Sequence, residues 1–285
     1  MVFHILYNPL AGNDGGKERS RGVIKLLPAG AKTEFADITA IYDMKAYLAS
    51  IPAGERFIIA GGDGTLHRFV NSLRDEDMPA EVAFYPSGSG NDFVRDIGGD
   101  PQGINEIGRY LRHLPTAYIK DKALRFINGV GFGIDGYVCA EGNKLRASSK
   151  GSINYKGIAV KGFLYGFKPK KARAVVDGKV IERERIWMAP TMKGRFFGGG
   201  MMVTPGQDRS DPEGKVTMML FGGSGSLKTL TMLPSVYTGE HVRYTKYLEI
   251  IKANEVRVEF DKPCALQIDG ETIEDVSGYS VRTSL

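Results

Sequence analysis

The sequence predicts an α/β domain built on a doubly wound, largely parallel sheet, followed by a second domain that is mostly antiparallel β. Three observations carry the prediction. Over residues 1–120 short apolar runs alternate with stretches of helical spacing, the pattern of βα units that feed a parallel sheet. Three of those runs stop at glycine-rich turns, after Tyr7, Ala60 and Tyr85. Near residue 120 the texture changes, and short strands joined by turn residues dominate from residue 172. The expected division is 1–120 and 121–274, with the segment from about 275 to 285 a candidate to return to the first domain.

Residues 2–7 (VFHILY) read as a buried strand ended by Asn8-Pro9 and a polar, glycine-rich run. A helix is expected over 17–27 and a strand over 35–39. Asp43 can cap a helix carrying Met44, Tyr47, Leu48 and Ile51 at helical spacing. The third strand, 57–60, runs into Gly61-Gly62-Asp63-Gly64-Thr65, after which Leu66, Phe69, Val70 and Leu73 recur at i, i+3, i+4 and i+7. A fourth strand over 82–85 leads into the second glycine cluster and a helix with Phe93, Val94 and Ile97, and a further helix is expected over 105–113. Residues 120–127 read as strand, followed by NGVGFGIDG and weakly helical stretches around 137–145 and 153–167. Asp177-Gly178 is a hairpin signal between 174–176 and 179–186. Strands over 216–221, 247–252, 255–260 and 264–268, with one helix near 227–237, complete the second domain.

Composition bounds the partners. Of 285 residues 42% are hydrophobic and 25% charged, which suits a globular protein with a sizeable core. The formal charge of +5 is too weak to indicate nucleic acid, but suits anionic substrates or an anionic membrane surface. Cys139 and Cys264 form no C-x-x-C pair and read as free thiols of a reducing compartment. No apolar stretch approaches the length of a membrane-spanning helix, and the start at 2–7 reads as strand rather than signal peptide.

The strand–glycine–helix order at 57–73 permits two readings. Glycines let a backbone approach a ligand closely, and amides at a helix start attract phosphate. Asp63 at the same turn could meet a phosphate only through a bridging Mg²⁺. Gly-Gly-Asp-Gly is also good turn chemistry with no ligand at all. Because ligands of open parallel sheets bind beyond the carboxyl ends of the strands, three such turns at those ends favour the phosphate reading. Gly131 to Gly136 match G-x-G-x-x-G literally, but Asn154-Tyr155-Lys156 stand where a dinucleotide fold wants an acid. His4, His67, His113 and His241 are scattered without metal-ligand spacing, and neither a Walker loop nor a G-x-S-x-G elbow occurs. Asp269 and Glu271 flank Gly270 at a strand end, a pattern that a plain hairpin also explains.

Together these landmarks resemble the diacylglycerol kinase-type lipid kinases, the soluble bacterial branch of a catalytic domain also found in sphingosine kinases. That family shares its glycine-aspartate turn with NAD kinases and, more distantly, with phosphofructokinases. The matching motifs run in family order: NPLAG at 8–12, GGDGT at 61–65 with Asn71 following, PSGSGNDF at 86–93, FFGGGMMVTP at 196–205 and IDGE at 268–271. Ser89 stands where the family usually has Thr, and His67 and Arg68 where it more often has Asn and Glu.

The resemblance implies an NAD-kinase-like fold for the first domain and an ATP-dependent kinase acting on a lipid hydroxyl, diacylglycerol to phosphatidic acid first among them. It implies that Asn8, Pro9, Gly12, Thr39, Gly61, Gly62, Asp63, Gly64, Thr65, Ser89, Asn91 and Asp92 form the ATP side, with Asp63 acting through Mg²⁺. Asp92 and Asp121 would join a carboxylate–water–metal network, and Asp208 and Asp211 of the longer 207–214 loop would ligate a structural Mg²⁺. Asp269 and Glu271 would lie on the acceptor side, one of them removing the hydroxyl proton. A cytoplasmic enzyme peripheral to the inner face of a membrane follows, and exposed strands of the second domain could pair two copies. Phe163, Leu164, Tyr165 and Phe167 beside Lys168, Lys170, Lys171 and Arg173 suit a membrane interface, or equally a helix packed on the core before a solvated loop. The alternatives are a soluble-substrate kinase of NAD-kinase type and a non-catalytic nucleotide- or lipid-binding module.

Overall fold

The structure, a computed structural model, describes residues 1–11, 15–148 and 153–284. It divides into two units, Met1–His113 and Leu114–Leu285. In the first, β1 (Val2–Tyr7), β2 (Lys32–Asp37), β3 (Arg56–Gly61) and β4 (Ala83–Pro86) form a parallel sheet in the order β2-β1-β3-β4. Strands buried on both faces read as continuous apolar runs, and Ile5, Leu6, Ile58, Ile59 and Phe84 are accordingly buried. The helices follow the expected spacing. Asp43 caps Met44–Ser50 by accepting the Ala46 amide at 2.9 Å, and Leu66, Phe69 and Val70 are the buried face of Asp63–Asn71. The stretch expected as one helix over 17–27 is a short α-helix, Gly16–Ser20, that tightens into a 3₁₀ segment, Arg21–Leu26.

The helix expected over 105–113 is not formed. Instead β5 (Asn105–Glu106) closes the sheet as an antiparallel edge, followed by one 3₁₀ turn, Gly108–Tyr110. Tertiary contact overrides the local periodicity there. A Cβ on Gly108 would lie 2.0 Å from the Ala80 carbonyl oxygen, and the Asn105 amide bonds the Asp100 and Gly103 carbonyls instead of continuing a helix.

The second unit is one large antiparallel sheet. It contains β6 (Thr116–Ile119), β7 (Lys122–Arg125), β8 (Gly129–Phe132), β9 (Lys170–Val176), β10 (Lys179–Met188) and β11 (Thr191–Met192). Later come β14 (Val216–Gly222), β15 (Leu248–Ala253), β16 (Glu255–Ile268) and β17 (Glu271–Arg282), while β12 (Phe196–Phe197) and β13 (Met201–Met202) pair separately. The 14-residue β16 joins the two strands expected over 255–260 and 264–268. Register shifts between Glu259 and Leu266 let its first half pair with β9 and its last residues with β8. Inward residues of every long strand, among them Ala174, Val176, Met218, Val258, Phe132 and Tyr279, meet in one core, with Phe132 stacked on Phe260 at 4.2 Å. The hairpin at Asp177-Gly178 forms as expected, both residues at positive φ, 46° and 83°. The segment from about 275 does not join the parallel sheet. It lies in β17, paired with β16 on one side and β6 on the other. The expected strand over 120–127 is the β6–β7 hairpin, and its break falls at Lys120, where φ is 54°.

A second apolar cluster covers Trp187. Ile134, Phe163, Phe167, Met219, Met232 and Val236 bring helices Ile134–Ser148 and Ser226–Thr238 and the π-turn Gly162–Gly166 onto it.

Candidate active site

Parallel order sets the candidate site of the first unit. Because β1, β3 and β4 are neighbours, with Tyr7 beside Ala60 and Gly61 beside Pro86, the turns that follow them emerge at one edge of the sheet. The β3 and β4 turns are joined backbone to backbone. The Ser87 and Gly88 amides donate to the Gly61 carbonyl at 2.8 and 3.1 Å. A Cβ on Gly88 would stand 2.4 Å from the Gly62 Cα, so no side chain fits at that contact. Asp63 locks the junction: its two carboxylate oxygens accept the Asp92 and Phe93 amides, each at 3.0 Å. Thr65 is buried beneath Gly61, whereas Ser89 is exposed.

The same geometry leaves one polar atom unused. Asn91, held at φ 51°, donates its amide to the Gly88 carbonyl at 3.0 Å, and its buried Oδ1 has no hydrogen-bond partner. An unpaired buried acceptor at a glycine junction is what a ligand hydroxyl or bound water completes. Elsewhere along this edge of the sheet, Asn8 holds the β1 turn by accepting the Leu10 amide at 3.0 Å, and a Cβ on Gly16 would meet the Asn8 carbonyl oxygen at 1.8 Å. The Thr39 hydroxyl and amide both bond Asp37 Oδ1, at 2.7 and 2.8 Å. Gly12 lies outside the described residues.

In the second unit, Asp269 and Glu271 have different environments. Asp269 is 7% exposed, and its carboxylate accepts three amides: Ile127 at 2.8 Å, Asn128 at 2.8 Å and Gly129 at 3.1 Å. On the other edge of this segment Arg209, also buried, donates to the Ile127 carbonyl and to Asn128 Oδ1. Carboxylate and guanidinium thus grip residues 127–129 from both sides. At φ 47°, followed by Gly270 at 90°, Asp269 makes the tight turn from β16 into β17. Glu271 opens β17 and is exposed.

The acidic residues expected at metal sites are not brought together. Asp92 is buried with its carboxylate on Arg95 Nη1 at 3.0 Å. Asp121 is an exposed residue of the β6–β7 turn, because the hairpin places the break in pairing at that position. Asp208 and Asp211 close successive turns on the Ser210 and Glu213 amides, both at 2.9 Å. Asp211 also faces Lys252 at 3.4 Å; burial pushes its pKa up, but the Glu213 amide and Lys252 outweigh it and hold the carboxyl below its usual range. Among the described residues no group of three or more His, Cys, Asp or Glu side chains is arranged to hold a metal ion. With Asp63, Asp92, Asp208 and Asp211 committed to amides and cations and Asp121 exposed, the described residues do not make a protein cage for Mg²⁺.

Two functional candidates escape sequence reasoning. Asp135 sits in the first turn of Ile134–Ser148, inside the GxGxxG match, and Gln267 lies two residues before Asp269. Burial pushes the Asp135 carboxyl from 3.8 to about 6, against the pull of nearby amides and Gln267 that stop short of full hydrogen-bond geometry. Both Asp135 oxygens and Gln267 Nε2 are buried without a partner, over Gly131, whose Cβ would stand 1.5 Å from Asp135 Oδ2 and 2.7 Å from Gln267 Nε2. The glycine spacing was a true signal of close approach, but the approach is to Asp135. β8 runs antiparallel to β16 and β11, so the segment is no βαβ dinucleotide unit.

Comparison with known proteins covers both units. Residues 2–118 match the family model described as diacylglycerol kinase catalytic domain, and residues 128–281 that described as YegS C-terminal NAD kinase beta sandwich-like domain. The chain is 26% identical over 271 residues to a diacylglycerol kinase of Mycobacterium tuberculosis, covering 89% of this chain and 84% of that protein. It is also 26% identical over 287 residues to a diacylglycerol kinase of Bacillus subtilis, with 94% and 88% covered. A crystal structure of a diacylglycerol kinase from Bacillus anthracis is similar in fold, with a TM-score of 0.65, 21% identity, and 99% and 94% of the two chains covered.

Proposed function

Because the chain belongs to the family that joins a diacylglycerol kinase catalytic domain to a YegS-type C-terminal domain, we propose that it is an ATP-dependent lipid kinase that converts diacylglycerol to phosphatidic acid. The observation that carries this reading is the glycine junction of the first unit, with Gly62 against Gly88 and the unpartnered Asn91 Oδ1 beside them. Bare backbone at the carboxyl edge of a parallel sheet suits a nucleotide, and the Asn91 acceptor suits its ribose hydroxyl. The donor is ATP, and a divalent ion carried on its triphosphate would neutralise charge there.

The candidate acceptor-side residues are in the second unit. Exposed Glu271 takes the proton of the lipid hydroxyl as that oxygen bonds to the γ-phosphorus and the bridging P–O bond to ADP breaks. Asp269, with both oxygens on amides, holds the 127–129 segment and the turn that carries Glu271. Asp135 and Gln267 supply unpaired polar atoms near the same strand end, where a buried acid with a raised pKa favours a substrate-facing role.

The test is incubation with labelled ATP, Mg²⁺ and a total lipid extract. The expected product is labelled phosphatidic acid, and Glu271→Gln is expected to lower kcat by about 100-fold or more without changing the melting temperature. Labelling of NAD with no lipid product, or a Glu271→Gln enzyme of full activity, would overturn the reading or its proton acceptor respectively.

A further inference from the structure

The stretch from helix Tyr155–Lys161 through the π-turn Gly162–Gly166 has two opposite faces. Phe163 and Phe167 point inward, with ring centroids 5.2 and 6.2 Å from Trp187. Gly162 and Gly166 pack on Tyr137, where a Cβ would lie 2.9 Å from the ring and 2.2 Å from the hydroxyl oxygen respectively. That anchoring fixes the turn and drives its other face outward. Val160 and Leu164, one turn apart, are 42% and 45% exposed, and Tyr165 is 70% exposed. The turn lies against helix Ser226–Thr238, whose first turn exposes Leu227 at 75%, and Lys156 sits 5.6 Å from the Tyr237 ring of that helix.

Charge selects the occupant of this face. Residues 142–176 contain nine Lys and Arg and no Asp or Glu, and Ser226–Thr238 has no acid either. Not all of this charge is available. Lys171 faces Glu182 and Glu184, and Arg173 faces Glu182 and Glu259, so that part of the run is neutralised on the sheet. Lys161, Lys168 and Lys228 are exposed beside the apolar side chains, and among the described residues none of them pairs with an acid. An exposed aromatic and aliphatic ridge flanked by lysines matches the interfacial layer of an anionic bilayer. A protein groove would be matched less well, because the charge flanking the ridge is basic. Among the described residues no helix is long and apolar enough to cross a membrane, so contact through this face would be peripheral.

We propose that this face, Val160, Leu164, Tyr165 and Leu227 with Lys161, Lys168 and Lys228, docks the protein on an anionic membrane surface. Its position fits that task. Tyr137, against which the turn packs, is two residues from Asp135, and Asn143 of the same helix bonds Thr272 at 3.1 Å, next to Glu271. Docking therefore sets the acceptor side of the second unit beside the lipid layer. The inference deepens the lipid-kinase reading and rests on it for its purpose, but its test does not need turnover.

The experiment is cosedimentation of the full chain with vesicles of phosphatidylcholine alone or with phosphatidylglycerol, without ATP. The wild type is expected to bind the anionic vesicles, less so at high salt, and to leave neutral vesicles largely unbound. Lys161→Ala with Lys168→Ala should weaken partitioning about 30-fold, a factor of about five for each lysine near an anionic surface. Leu164→Ser with Tyr165→Ser and Leu227→Ser should weaken it about 10-fold or more at any salt. Circular dichroism melting checks that the variants fold, and the lysine pair alone suffices if the apolar triple does not. All variants are expected to act normally on diacylglycerol dispersed in detergent. Wild-type protein that ignores phosphatidylglycerol vesicles, or variants that bind them as wild type does, overturns the proposal. So does loss of a dimer in sedimentation by the apolar triple with vesicle binding unchanged, which would assign the face to a second copy. Failure of the kinase reading appears separately, as absence of lipid product in the detergent assay.

Discussion

Asp269→Ala tests whether Asp269 shapes the site while Glu271 takes the proton of the proposed reaction. The substitution removes the only side-chain oxygens that accept the Ile127, Asn128 and Gly129 amides, all buried. A buried donor left unsatisfied costs about 1–3 kcal/mol, and hydrogen bonds to a charged group lie toward the top of that range. The three share one acceptor and are not independent, so the expected loss is about 3–5 kcal/mol rather than their full sum. At roughly 2–4 °C per kcal/mol for a protein of this size, the melting temperature should fall by roughly 6–20 °C. Glu271→Ala, at an exposed position, should stay within about 0.5 kcal/mol and about 2 °C. Asp269→Asn keeps one accepting oxygen and tolerates φ 47°, so it should fall between. The assay is thermal unfolding of the three variants beside phosphotransfer to diacylglycerol. An Asp269→Ala protein that melts within 2 °C of wild type but has lost all turnover would refute the structural assignment and return Asp269 to the role of proton acceptor.

Three other outcomes follow from the geometry. Gly88→Ala places a Cβ 2.4 Å from the Gly62 Cα, so the two turns must separate; the KM for ATP should rise about 10- to 100-fold while that for lipid changes little, as steady-state kinetics would reveal. Asp63→Ala removes the carboxylate that accepts the Asp92 and Phe93 amides, and hydrogen exchange at those two positions should quicken about 10-fold or more while global stability falls by no more than about 3 kcal/mol. Asp135 sets a pH dependence. Its folded-state pKa is raised to about 6 from 3.8, so its contribution is full below about pH 4 and is lost as pH rises through 6. Asp135→Asn should therefore be more stable than wild type by about 2–3 kcal/mol at pH 7 and show little difference at pH 4, as denaturant titrations at the two pH values would measure.

How much of this was legible depended on the range of the interactions. GGDGT announced a strand, a turn and a helix because each step is local: an apolar run, glycines, then i, i+3, i+4 spacing. Asp43 as a cap and Asp177-Gly178 as a hairpin are local in the same sense, and both formed where expected. Residues 105–113 had helical spacing too, but Gly108 is pressed against the Ala80 carbonyl and the segment became a sheet edge. The aromatic stretch at 163–167 was open between core and exposed surface, and it divides: Phe163 and Phe167 are buried while Leu164 and Tyr165 of the same anchored turn are exposed.

Metal ligation was the least legible property. Asp63, Asp92, Asp121, Asp208 and Asp211 are the residue types that Mg²⁺ needs, yet each carboxylate is settled by amides, a cation or solvent that no spacing rule anticipates. The reverse holds for Asp135 and Gln267. One lay within a glycine motif that is no dinucleotide fingerprint and the other in a strand, and only their shared burial without partners marks them.

The sequence by itself determined that two kinds of domain follow one another, that three glycine turns end parallel strands, and that the motifs of a lipid-kinase family stand in order along the chain. Those are properties of periodicity and local backbone chemistry, which a linear pattern records. Only the tertiary structure decided which carboxylate is a clamp and which stands open, because that depends on amides 140 residues away in the chain reaching Asp269 and none being bonded to Glu271 among the described hydrogen bonds. Likewise the order of strands, rather than any motif, brought Gly62 against Gly88 and left Asn91 Oδ1 without a partner.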